Sequence, residues 1–285
     1  MQAAFCHKHL KFLFFVILTF RAITCQAQNS PLSKGFAHND YWHNRPLYDA
    51  LDNGFQNIEA DIYLRDDELL VAHMLPAFQK KRTLEQLYLK PLFNCYEGKN
   101  REVVYPISPV TLMIDIKSDA EKTYAKLSEV LKRYAPMLSS YNNGEITEGS
   151  VTIVITGNKP YKMLQAQKQR YAFIDEDLMQ VHTDTLSNAV YKTASCKYSR
   201  LISWTGKGPM PEDQKQLLRD YVAAAHHHKK RVRLWASPEN KEVWKALLEC
   251  EVDLINTDKL AELREFLMMG PEPVRYAKVT QSNNR

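Results

Sequence analysis

Residues 57–74 read NIEADIYLRDDELLVAHM. An apolar run leads into the charged turn Asp66-Asp67-Glu68, and a second apolar run ends at His73. This pattern predicts a strand, a tight turn and a returning strand. Glu59 and Asp61 stand two residues apart, so they share one face of the first strand, with Ala60 on the other. Carboxylates in an apolar strand are costly to bury without partners. The pair therefore marks a place where the chain needs charge inside its fold.

The same pattern recurs at 110–118, VTLMIDIKS, where Asp115 and Lys117 alternate with Ile114 and Ile116. Further strand segments are predicted at 34–40 (KGFAHND), 150–158 (SVTIVITGN), 172–177 (AFIDED), 200–206 (RLISWTG), 231–237 (RVRLWAS) and 253–258 (DLINTD). Helical stretches separate most of them. DAEKTYAKLSEVLKRYA is amphipathic, PEDQKQLLRDYVAAAHHHKK carries Pro211 near its first turn, and RPLYDALDNG closes on Gly54. Strand–helix alternation implies a parallel sheet with right-handed crossovers. Eight such units in about 250 residues predict an α/β chain folded as a single (β/α)8 TIM barrel. Both charged pairs then lie toward the C-terminal ends of their strands, where barrel sites form.

The chain has 285 residues, 45% hydrophobic and 25% charged, a globular composition. Residues 1–27 read differently. Lys8 and Lys11 precede the apolar run Phe12–Phe20, and small and polar residues follow. This is the layout of a secretory signal peptide, and the run is too short to span a bilayer. The expected organisation is a leader over 1–27 and a barrel over 28–285, exported to a periplasmic or extracellular location. Cys25 raises lipid modification as an alternative fate for the leader. Without Lys8, Lys11 and Arg21, 35 basic residues face 33 acidic ones, and the net charge falls from +5 to +2. That balance leaves no basic footprint for nucleic acid. No later segment reaches membrane-spanning length. Cys95, Cys196 and Cys250 are too few and too far apart for a disulfide framework.

Glu59, Asp61 and Asp115 would repel one another unless a positive charge stood between them. An all-oxygen donor set of this kind suits one hard divalent cation, Ca²⁺ or Mg²⁺. His38 ends the first strand and His73 ends the returning one. Two imidazoles beside such an ion can serve as general acid and base, and Lys117 can bind an anionic group. Metal, imidazoles and lysine together suit phosphoryl chemistry. The plainer reading is a set of buried ion pairs, Glu59 and Asp115 with Lys117, without catalysis.

These residues resemble those of the glycerophosphodiester phosphodiesterases, within the phosphatidylinositol-specific phospholipase C-like superfamily. The resemblance covers most of residues 34–262. It rests on His38 ahead of a helix, on GFQNIEADIYLRDDELLVAH, on LMIDIKS, and on VRLWAS followed by LLECEVDLINTD. It implies a TIM barrel hydrolysing a small-molecule or lipid phosphodiester. Glu59, Asp61 and Asp115 would be metal ligands, and His38 and His73 the acid–base pair. Lys117 would touch phosphate, and Trp235 and Asn256 would line the substrate pocket. Two departures stand out. The family's His-Arg-Gly is His38-Asn39-Asp40 here, and its Glu-Asn pair before the first helix is Asn44-Arg45, where Arg45 is the candidate to restore the missing positive charge. The aspartate at 115, where glutamate is commoner, resembles the sphingomyelinase D branch, although HMLPAFQKKRTL after His73 has no cysteine for that branch's closed loop. The lost arginine keeps a second reading open, a non-catalytic barrel holding a phosphorylated ligand through a metal.

His226, His227 and His228 are consecutive and cannot face one ion from a regular helix; at a helix C-terminus they suit the dipole. Trp204 and Trp244 read as packing residues, and Cys196 and Cys250 as buried apolar ones.

Overall fold

The structure, a computed structural model, describes residues 32–74, 82–99, 109–183 and 189–269. The expected leader, with Cys25, lies outside them. Eight parallel strands form the barrel: β1 (Leu32–Ala37), β2 (Phe55–Arg65), β4 (Val110–Ile116), β7 (Val151–Gly157), β9 (Ala172–Asp177), β10 (Tyr191–Lys197), β11 (Arg231–Trp235) and β12 (Leu254–Thr257). They run in the order β1-β12-β11-β10-β9-β7-β4-β2, and a β1–β2 pairing closes the ring. Residues of alternate parity divide cleanly. Ile58, Ala60, Ile62, Leu112, Ile114, Ile153 and Ile155 pack outward in the main core, beneath the helices. Phe36, Met113, Val154 and Leu254, all 0% exposed, form a separate apolar cluster that plugs the interior.

The opening stretch folds as a hairpin. β3 (Glu68–Val71) pairs antiparallel with the far end of β2, with Arg65 opposite Glu68. The two turn residues, Asp66 and Asp67, both have positive φ (49° and 62°), the backbone that a two-residue hairpin matched to strand twist requires. The returning strand stops at Val71 rather than at His73, which lies in the bend that follows.

The sixth strand departs from expectation. It is YKTASCK, residues 191–197, and not RLISWTG. The latter begins as a 3-10 turn over Tyr198–Arg200, whose buried Leu201 and Ile202 account for its apolar look. A small antiparallel sheet of β5 (Ser140–Asn142), β6 (Glu145–Thr147) and β8 (Gln169–Arg170) was also not expected. Its turn is Asn143-Gly144, again with both φ positive. No helix among the described residues is long and apolar enough to cross a membrane.

Candidate active site

Parallel pairing of β2 and β4 sets Glu59 beside Met113 and Asp61 beside Asp115. Both acids of the second pair point into the barrel mouth, and like charges in register repel. Lys117, just past the end of β4, relieves the repulsion: its Nζ lies 2.8 Å from Asp115 Oδ2 and 3.2 Å from Asp61 Oδ2. Ligand oxygens of Glu59, Asp61 and Asp115 all come within 4.8 Å of one another. Lys117 does not saturate them. Asp115 Oδ1 is buried with no hydrogen-bond partner among the described residues. Gly157, with φ 69°, keeps that oxygen clear, because a Cβ there would stand 1.9 Å from it. An orphaned carboxylate oxygen in a cluster of three acids is what a hard cation's donor set requires, so the residues present fit the ion.

The two histidines flank the cluster. Asn39 takes the left-handed conformation, φ 47°, which asparagine tolerates, and turns the chain sharply after β1. His38 Nδ1 then lies 2.6 Å from Asp258 Oδ1, and its Nε2 lies 3.4 Å from Glu59 Oε2. His73 Nδ1 lies 3.1 Å from Asp61 Oδ2. The buried Tyr41 hydroxyl ties the two sides together, 2.9 Å from Asp61 Oδ2, 2.7 Å from Asn39 Oδ1 and 3.1 Å from His73 Nδ1. Below lies Arg233, whose Nη1 is 3.1 Å from Glu59 Oε1 and donates to Asn256 Oδ1 at 3.2 Å. Its guanidinium rests on the Phe36 ring, 4.3 Å from the centroid.

The electrostatics follow from this packing. Burial raises the Asp61 carboxyl, and the neighbouring Glu59 and Asp115 raise it further, against Lys117. Burial also works against ionised Glu59, but Arg233 and His38 outweigh it and hold Glu59 below the usual carboxylate range. Burial works against charged His38, yet the Asp258 hydrogen bond and the Glu59 carboxylate raise it above its ordinary value. A cluster in which one acid resists ionisation is short of positive charge.

His38, Glu59, Asp61, His73, Asp115, Lys117 and Trp235 line one cavity of about 500 Å³ at the barrel mouth. Two of the predicted residues stand elsewhere. Asn256, 3% exposed, lies under the floor as a support for Arg233. Arg45 is exposed and held by Asp49 and Asp52, its Nη2 3.0 Å and 2.5 Å from their oxygens, away from the cavity lining. The cation at the floor is Arg233, two residues before Trp235 on the same strand face. That spacing was visible in RVRLWAS, but its charge reads as strand-edge polarity until a buried acid faces it. Asp258, Tyr41 and Asp175 were likewise missed. Asp175 is 2% exposed and takes hydroxyls from Thr193 (2.5 Å), Ser195 (2.8 Å) and Thr156 (3.3 Å). Burial pushes the Cys196 thiol up to about 12, which removes it as a nucleophile. His226 is engaged with Asp253 at 2.8 Å.

Barrel closure, strand-end acids and paired histidines together define a phosphodiesterase-type barrel. Residues 28–175 match the AIM6-like phosphodiesterase domain, and residues 231–261 match the glycerophosphoryl diester phosphodiesterase family. The chain belongs to the AIM6-like phosphodiesterase family. It is 30% identical over 250 residues to altered inheritance of mitochondria protein 6 homolog of Arthroderma benhamiae, covering 78% of this chain and 80% of that relative. It is 30% identical over 271 residues to altered inheritance of mitochondria protein 6 of Eremothecium gossypii, covering 82% and 69%. A solved glycerophosphodiester phosphodiesterase from Parabacteroides distasonis shares the fold, with a TM-score of 0.53 at 17% identity, over 85% of this chain and 98% of that one.

Proposed function

We propose that the chain is a metal-dependent phosphoric diester hydrolase acting on a glycerophosphodiester or phospholipid-type substrate. The observation that carries this reading is one cavity holding Glu59, Asp61 and Asp115 between His38 and His73. The three carboxylates would hold one Ca²⁺ or Mg²⁺. When bound, such an ion neutralises charge on the phosphoryl oxygens and favours attack at phosphorus. Lys117 offers N–H donors to the phosphate as well as to the acids.

The proton work falls to the imidazoles. One takes the proton of the attacking hydroxyl, borne by water or by the substrate itself, as its oxygen bonds to phosphorus. The other gives its proton to the alcohol oxygen as the bond from phosphorus to that oxygen breaks. With water as attacker the products are a phosphomonoester and an alcohol. Asp258 and Asp61 each hold one ring nitrogen and so fix the ring orientations. Cleavage of the leader and export belong to the same proposal; they rest on Lys8, Lys11 and the apolar run Phe12–Phe20.

Hydrolysis of bis(p-nitrophenyl) phosphate is to be compared with that of p-nitrophenyl phosphate. Diester turnover without monoester turnover, reduced about 10²- to 10⁴-fold in His38→Ala and in His73→Ala, is the expected result. Turnover unchanged in both variants would sink the assignment. Metal binding and phosphate uptake without any turnover would favour the binding barrel.

A further inference from the structure

His73 is the less anchored of the two imidazoles. It stands two residues past the end of β3, in a bend, and its side chain is 41% exposed. Its carbonyl accepts from the Tyr63 hydroxyl at 3.2 Å, which holds the backbone but not the ring. The torsion that turns a histidine ring has broad wells, so the ring needs outside support to keep one orientation. Asp61 Oδ2 supplies only part of that support. The same oxygen is shared by His73 Nδ1 at 3.1 Å, the Tyr41 hydroxyl at 2.9 Å and Lys117 Nζ at 3.2 Å. A single N–H···O contact also leaves the ring free to swing about its own axis.

Two neighbours remove that freedom. The Tyr41 ring lies nearly parallel to the imidazole, 21° between planes, and its hydroxyl oxygen comes within 3.1 Å of Nδ1. Trp42 meets the imidazole edge-on, with centroids 5.2 Å apart. Tyr41 is itself firmly held: its side chain is buried, its carbonyl accepts from Arg82, and its hydroxyl lies 2.7 Å from Asn39 Oδ1. The protons can be placed. Asn39 Oδ1 and ionised Asp61 Oδ2 only accept, so the Tyr41 proton goes to one of them and its oxygen keeps a lone pair toward His73. Both oxygens facing Nδ1 then call for a proton on that nitrogen, which leaves Nε2 as the reacting atom. Tyr41 and Trp42 stand outside the cavity lining, whereas His73 is part of it. They act on His73 and not on a substrate.

We propose that Tyr41 and Trp42 are positioning residues for His73. The Tyr41 oxygen holds the His73 proton on Nδ1, and the two aromatic rings fix the plane in which Nε2 meets the phosphodiester. This role rests on the phosphodiesterase reading and deepens it, adding two residues that the acid–base pair depends on.

The test pairs a spectroscopic readout with turnover. Tyr41→Phe keeps the buried ring and removes only the hydroxyl. Trp42 is 59% exposed, so Trp42→Leu removes its ring at little cost to the fold. Nitrogen-15 NMR of the histidine rings in the metal-free protein, with His73→Gln to identify the signals, reports where the proton sits. The unaltered protein should show His73 with its proton on Nδ1, and Tyr41→Phe a mixture of both tautomers. A proton on Nε2 in the unaltered protein, or on Nδ1 alone in Tyr41→Phe, would overturn the role of the hydroxyl. In bis(p-nitrophenyl) phosphate hydrolysis with Ca²⁺, kcat should fall on the order of tenfold to a hundredfold in Tyr41→Phe and roughly threefold to tenfold in Trp42→Leu, with KM unchanged in both. An unchanged kcat in either variant strikes that residue from the role, and a raised KM at constant kcat would place the rings against the substrate instead. A tautomer change in Tyr41→Phe, with no turnover by the unaltered protein, supports the positioning of His73 and removes the hydrolase.

Discussion

At the residue scale the site depends on Asp115 Oδ1, a buried oxygen with no hydrogen-bond partner among the described residues, and on Gly157, whose missing Cβ keeps it accessible. Gly157→Ala introduces two costs. Alanine at φ 69° costs about 1–2 kcal/mol, and its Cβ, 1.9 Å from Asp115 Oδ1, forces that carboxylate to move. Gly98 has the same φ with nothing within 4 Å, so Gly98→Ala isolates the backbone cost. Gly157→Ala should lose more stability than Gly98→Ala in denaturant melts, and only Gly157→Ala should lose divalent-ion affinity, by about 10- to 100-fold. Equal metal affinity in the two variants would count against Asp115 as a ligand.

Asp40 offers a second test at this scale. Its Oδ2 accepts from the Leu47 N–H at 2.6 Å and the Tyr88 hydroxyl at 2.9 Å, pinning the loop after His38. Burial pushes its carboxyl from 3.8 up to about 6. The folded state therefore binds this proton more tightly than the unfolded one. The resulting stability is complete below about pH 4 and is lost as pH rises through about 6. Asp40→Asn keeps an acceptor without the charge. Its stability relative to the parent should rise from near zero at pH 4 to about 2–3 kcal/mol at pH 7. A difference that stays constant with pH would contradict this.

At the scale of elements, strand faces explain what could and could not be read from the sequence. β2 and β4 were legible because their acids alternate with isoleucine and alanine, so the pattern itself reports a polar interior. β10 was not, because Thr193 and Ser195 face the buried Asp175 and must be hydroxylic to solvate it. A strand built to serve an internal charge loses the apolar signature by which strands are recognised. Arg45 misled for the complementary reason: its charge is real, but local acids at i+4 and i+7 hold it at the surface. Asp258 acts through His38, and Tyr41 reaches the site through Asp61 and His73, partners distant in sequence, so no local pattern points to their roles.

Lys230 belongs to this scale as well. It joins the end of helix Glu212–His227 to β11 and reaches Glu176 on β9 at 2.7 Å, with both side chains buried, beneath the Tyr191 ring. Lys230→Met removes the cation from a buried carboxylate and should cost about 3–5 kcal/mol, whereas Lys230→Met/Glu176→Leu should recover most of that loss. Denaturant melts of the two variants decide it; a double variant no more stable than the single one would contradict the pairing.

At the scale of the whole molecule, the barrel gathers three acids, two imidazoles and a lysine from β1, β2, β4 and the bend after β3 into one mouth. The energetic cost of that gathering is visible in Asp61, whose carboxyl is raised by burial and by its acidic neighbours. A dication would reverse the imbalance, so metal should stabilise the fold and enable turnover together. The most direct measurement is a Ca²⁺ and Mg²⁺ titration of the EDTA-treated protein, following melting temperature and diester turnover on the same samples, with Asp115→Asn alongside. The expected result is that both rise over one concentration range, the stabilisation reaching about 2.7 kcal/mol at a hundredfold excess over Kd, and that Asp115→Asn shows neither. Turnover that is undiminished in EDTA, or stabilisation that persists in Asp115→Asn, would contradict a metal held by Glu59, Asp61 and Asp115.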